Sequence, residues 1–179
     1  MADMWIDPEQ DPRSYGNPMG ELATYREYLG NYRLTVRMKC EGLDAEQLAR
    51  RSVPPSTMSL LGLVRHLAQV EHTWFQRVLQ RRSDEAQLYK RPDDRDWDFN
   101  GAVPEQAVVE DAFGRWQAEI SAADEWLDAL TAEDLDREVP HHDGTVAVRD
   151  VLVHLIEEYA RHAGHADLLR ECIDGRTGE

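Results

Sequence analysis

The run His154-x-x-x-Glu158-x-x-x-His162-x-x-His165 combines residue types that bind divalent transition metals with a spacing that gathers them. Steps of three and four residues return to one face of an α-helix, so a helix here carries all four side chains as a single stripe. At about 100° per residue they span roughly 80° of arc, beside the apolar arc of Val148, Val151, Leu155 and Tyr159. The stripe therefore borders the core and supplies half of a metal site, with the remaining ligands expected on another helix. Imidazole and carboxylate suit an ion such as zinc. His66, at the edge of an apolar stripe earlier in the chain, can look into the same interior, with Gln69, Thr73 and Arg77 on its side. His72 lies about 120° from it around the helix and is expected at an interface or on the surface.

Four long amphipathic helices are expected to position these residues. Residues 1–18 contain Pro8, Pro12, Gly16 and Pro18 without apolar periodicity, and read as an extended arm. From Gly20 to Glu41, Leu22, Tyr25, Leu29, Tyr32, Val36 and Cys40 recur at threes and fours, and Gly42 ends the helix. Residues 44–51 read as a short helical turn. Ser59 caps a second long helix with Leu60, Leu63, Leu67, Val70, Trp74 and Val78 on one stripe. Residues 83–103 are polar and read as a long connection with neither strand nor helix. A third helix starts near Pro104 and turns Val108, Ala112, Trp116, Ile120, Ala123 and Leu127 inward. After a turn at 131–135, His141 and His142 fall in a tight turn or brief hairpin, and Thr145 is expected to open the fourth helix, which stops before Gly175. Four such helices make an all-α bundle, with short extra turns and a long link between helices two and three. Residues 19–179 are read as one domain. Trp74, Trp116 and Trp126 are assigned to the core, whereas Trp5 and Trp97 fall in irregular segments.

Composition narrows the function. With 35 acidic against 20 basic residues the formal charge is −15, which repels nucleic-acid phosphates and anionic lipid. Cys40 and Cys172 form no C-x-x-C pair and no disulfide framework, and the acidic start of the chain is unlike a signal peptide, so a cytoplasmic setting is expected. No apolar run reaches the roughly 20 residues of a membrane span. Walker, G-x-G-x-x-G and G-x-S-x-G motifs are missing from the sequence.

Residues 63–75, with His66, and 153–170, with Glu158, His162 and His165, resemble the DinB-like metal-binding four-helix proteins across roughly residues 20–175. Many members of that family use three histidines, one from the second helix and an H-x-x-x-H pair from the fourth. Here Glu158 stands at the first position of the pair, as in the related mycothiol-dependent maleylpyruvate isomerases, whose zinc is held by two histidines and a glutamate. The resemblance thus implies His66, Glu158 and His162 as ligands of a divalent ion, zinc first, with nickel, iron or manganese as alternatives. His165 stands where many relatives have glutamine, and it and His154 are candidates for a fourth ligand or for hydrogen bonding behind the ligands. Arg77 and Tyr159 are candidate contacts to substrate.

The resemblance implies a small-molecule thiol as partner, a thiol-dependent S-transferase or isomerase as activity, and a possible homodimer. Zinc chemistry is compatible because the ion lowers the pKa of a bound thiol. The same ligand set suits a metal-dependent hydrolase that activates water, and a non-enzymatic metal-binding or stress-response module is the third reading.

Overall fold

The computed structural model describes residues 9–178. The start of the expected arm, Trp5 included, lies outside them. From Asp11 to Met19 the chain has no regular structure and lies along the first helix: Asn31 accepts from the Ser14 amide at 3.0 Å and donates back to the Ser14 carbonyl at 2.6 Å.

Four long helices make the body. Helix α1 spans Glu21–Cys40 and is followed by the short α2, Ala45–Ala49, which a reciprocal Asp44/Gln47 capping box starts. Helix α3, Leu60–Glu71, begins where Ser59 accepts from the Gly62 amide, and continues without a break as a π-helical segment, His72–Leu79. The connection expected to lack structure contains a short helix, α4, Trp97–Asn100. Helix α5 covers Gln106–Asp128, and a 3-10 turn follows at Ala132–Asp136. Strands β1, Glu138–His141, and β2, Gly144–Ala147, form an antiparallel hairpin, with His142 in the left-handed region at φ 48°. Helix α6, Val148–Asp174, ends at Gly175 with φ 78°. Thr145, expected to open α6, instead belongs to β2 and donates from its hydroxyl to Glu138 at 2.7 Å. Ladder pairing with β1 takes the backbone that a helix start needs.

Helix α1 packs chiefly on α6, and α3 chiefly on α5. The first half of α3 is buried all round: Leu60, Leu61, Leu63, Val64 and Leu67 are at most 1% exposed. The short helix α4 packs against α3. Gly62 permits this approach, because a β-carbon there would lie 2.9 Å from the Phe99 ring. Arg65 fastens the segment, donating to the carbonyls of Asp98 at 2.8 Å and Trp97 at 2.9 Å.

Four elements meet at a buried polar network. Arg33 of α1 makes a two-pronged ion pair with Glu71 of α3, Nε to Oε1 and Nη2 to Oε2, each 2.7 Å, and also reaches Asp124 of α5 at 2.7 Å. The Tyr159 hydroxyl of α6 donates to Glu71 at 2.7 Å and accepts from the Trp116 indole of α5 at 2.8 Å. Glu71 is fully buried and the Arg33 side chain 7% exposed. Tyr159, a candidate substrate contact on sequence grounds, is fully buried and its hydroxyl is occupied by Glu71 and Trp116. Burial, with the adjacent Glu71 charge, holds that phenol well above its ordinary pKa. His72 also departs from expectation: it is buried, its ring nitrogens 3.2 Å from Glu119 and 3.1 Å from the Ala86 carbonyl.

Breaking the Arg33–Glu71 pair strands a charge in the core. Arg33→Met is expected to lower unfolding stability in urea by about 3–5 kcal/mol, and Arg33→Met with Glu71→Leu by much less; equal losses in the two would contradict this account. Both cysteines are free, Cys40 buried and Cys172 exposed. Burial pushes the Cys40 thiol up to about 12, so its contribution to stability is complete below the ordinary cysteine pKa and is lost progressively as pH rises from there through about 12. Aromatic disulfide reagents at pH 8 should label Cys172 alone, with Cys40 reacting after denaturation. Rapid labelling of both in the native protein would refute the buried position.

Candidate metal centre

Helix α6 presents His154, Glu158 and His162 along one face, and α3 brings His66 against them. Ligating atoms of His66, Glu158 and His162 all lie within 4.8 Å of one another. The Glu158 Oε2 oxygen is 3.7 Å from His66 Nε2 and 3.4 Å from His162 Nε2. Ligands about 2.1 Å from a tetrahedral ion stand roughly 3.4 Å apart, so these separations fit one shared ion. The three side chains are 20%, 19% and 10% exposed, which leaves the group reachable by a small molecule.

The remaining candidates surround this triad. His165 Nδ1 is 3.2 Å from His162 Nδ1, on the ring edge away from Glu158. That contact needs one donor and one acceptor; with His162 Nδ1–H donating, His162 Nε2 keeps its lone pair toward Glu158. Burial, the neighbouring His162 and Arg161 lower the His165 pKa, which suits the neutral acceptor form. His154 Nε2 stands 3.5 Å from the other Glu158 oxygen, Oε1. Arg77 is half-buried and makes no hydrogen bond or ion pair among the described residues.

Three residues around His66 were missed by sequence reasoning: Asp98, Lys90 and Phe99. Asp98 of α4, a fully buried carboxylate, lies 2.9 Å from His66 Nδ1, and the Lys90 ammonium donates to the same oxygen at 2.8 Å. The carboxylate accepts the Nδ1 proton and leaves Nε2 free to face Glu158 and His162. Phe99 stacks on the His66 ring at 5.3 Å between centroids. Asp98 sits 32 residues from His66 in a segment without periodicity, and its only local sign is an acid between two aromatics, Trp97 and Phe99.

A proton on either imidazole nitrogen that faces Glu158 takes the place a cation would hold, and the titration of these groups follows from that exchange. Burial works against a charged His66, but hydrogen bonds to Asp98 and Glu158 outweigh it and raise its pKa. Hydrogen bonds from His162 and His66 hold the Glu158 carboxyl well below the usual range, against the opposing effect of burial. Burial likewise opposes ionised Asp98, and hydrogen bonds from His66 and Lys90 overcome it, lowering its pKa. Lys90 balances the Asp98 charge, which leaves the ionised Glu158 carboxylate as the group open to a cation.

Asp98→Asn should weaken metal affinity roughly 10–100-fold, since the amide no longer holds the His66 proton as a carboxylate does. Competition with a chelating dye measures it, and unchanged affinity would remove Asp98 from the account.

The chain was compared with known proteins. A conserved protein from Enterococcus faecalis, solved by crystallography, superposes with a TM-score of 0.66 at 16% identity, covering 88% of this chain and 99% of that one; at this identity the likeness establishes the shared fold. No curated protein matches. No described helix is long and apolar enough to cross a membrane. Residues 24–175 match the family model of mycothiol-S-transferases. With that match spanning most of the sequence and the bundle agreeing with the DinB-like architecture, this chain belongs to the mycothiol-S-transferase family.

Proposed function

We propose that this protein transfers a small organic group to or from the sulfur of mycothiol at a divalent-metal site made by His66, Glu158 and His162. The observation that carries the reading is the convergence of these three donors within 4.8 Å, in a chain of the mycothiol-S-transferase family. Zinc is the ion we favour, because two histidines and a glutamate are a recurrent catalytic zinc set that leaves a coordination position open. When bound, the ion supplies Lewis acidity that makes a thiol a stronger acid and hence a nucleophile at neutral pH.

The protein's own groups do the rest. Glu158 contributes a carboxylate kept ionised by its neighbours, which offsets part of the cation's charge. Asp98 and Lys90 fix the tautomer and direction of His66, and His165 does the same for His162. His154, beside Glu158 and 36% exposed, can take the proton released by the thiol and pass it to water. The sulfur–carbon bond then forms as the bond from that carbon to its leaving group breaks, the electron pair departing with the leaving group, for example as chloride, so no oxidant or reductant is needed.

Purified without a histidine tag, the protein is expected to carry near one equivalent of zinc, lost in His66→Ala and His162→Ala. Zinc-loaded protein should accelerate conjugation of mycothiol to an alkylating agent, with the His162→Ala variant at background. Turnover of esters or amides without any thiol, and none with mycothiol, would replace this reading by a hydrolase. Absence of metal after reconstitution would leave a binding module.

A further inference from the structure

A change in helical winding moves Trp74 to the edge of the metal centre. Eight residues at about 100° each would carry it some 80° around α3 from His66 and into the core. From His72 onward the helix instead winds more slowly, in the π form, as the Gln80 amide donating to the Phe75 carbonyl at 3.2 Å illustrates. Phe75 and Leu79 take the buried positions, and Trp74 and Val78 become half-buried on the His66 side. The Trp74 ring lies 4.8 Å from the His154 ring, edge to face, and 5.1 Å from that of His141 on the hairpin. His154 in turn touches Glu158 at 3.5 Å. A row of rings therefore runs from the ligand set outward to the hairpin.

We propose that Trp74, with His154 and His141 beside it, is the binding surface for a flat, conjugated, apolar group: the electrophilic partner of the thiol. Three features favour that class. The indole adjoins the triad through His154 and is only partly covered. It touches two imidazoles, which hold its orientation before a ligand arrives. Flat rings gain from stacking on such a surface beyond the apolar area they bury, whereas a small saturated group gains little. The π-helical stretch itself is a rare feature that concentrates at functional sites, and here its effect is to expose this one ring. The proposal rests on the transferase reading for its chemistry. With an activated chloroarene the sulfur–carbon bond forms, the carbon–chlorine bond breaks with its electron pair leaving as chloride, and the thiol proton goes to solvent.

The test separates binding from turnover. Zinc-loaded protein is titrated calorimetrically with m-dinitrobenzene, which is flat and unreactive, and assayed in parallel with mycothiol and either chlorodinitrobenzene or iodoacetamide. Trp74→Leu is expected to weaken dinitrobenzene binding and raise the KM for chlorodinitrobenzene roughly five- to tenfold, with the KM for iodoacetamide and the zinc content unchanged. Trp74→Phe should retain most of the binding, and Trp74→Met takes the place of the leucine variant if that does not fold. Tyr28→Leu, an exposed ring on α1, is the neutral control. No dinitrobenzene binding by the native protein, or binding that neither Trp74 variant alters, overturns the proposal even where thiol transfer is observed. Binding that depends on Trp74 without any thiol transfer upholds the surface and removes the transferase reading instead.

Discussion

The buried ion pair between Arg33 and Glu71 is the interaction on which the rest of the bundle depends. Two charges at 7% and 0% exposure are tolerated only where geometry is two-pronged and the remaining bonds are made, which ties the positions of four helices to one another. Tyr159 and Trp116 complete the set from α6 and α5. Glu71 follows His66 by five residues on one continuous helix, and Tyr159 sits next to Glu158 on another. The bond from Tyr159 to Glu71 therefore fixes the register at which Glu158 and His162 face His66. A polar constraint inside the core sets the distances of a polar site at its edge.

The candidate metal centre is supported from behind by a second layer of polar groups, and that layer is asymmetric. His66 is held by a charged pair, Asp98 with Lys90, from the crossover segment. His162 is held by a neutral imidazole from its own helix. The crossover is in turn pinned by Arg65, which lies over the Tyr89 ring at 4.1 Å and bonds the backbone of α4. Around His66 a long link fixes the direction of the ring, because that link is itself well anchored.

Helix α3 performs two tasks that ordinary α-geometry would not combine. Its first three turns are buried on all sides and carry His66; its last turns must return to solvent between α5 and the hairpin. Slower winding after Glu71 lets Phe75 and Leu79 continue the core contact while Trp74 swings outward. Phe75 meets the Trp126 ring of α5 at 5.7 Å, so the core loses no aromatic packing by the exchange.

Much of the architecture was determined by local pattern. Apolar residues at threes and fours, Ser59 as cap and Gly175 as stop fix where the helices lie, because capping and amphipathic burial act over a few residues. The α6 stripe was legible for the same reason, since helical periodicity alone aligns His154, Glu158, His162 and His165. Only the tertiary structure decided which partners meet that stripe. Asp98 and Lys90 arrive from a segment whose fold depends on Gly62, Arg65 and Tyr89, contacts between residues far apart in the chain. The apolar arc already turned Tyr159 inward, but that its hydroxyl meets a charge on a different helix was decided by the tertiary structure. The outward turn of Trp74 follows from a change of winding that periodicity, which assumes one fixed angle per residue, does not contain.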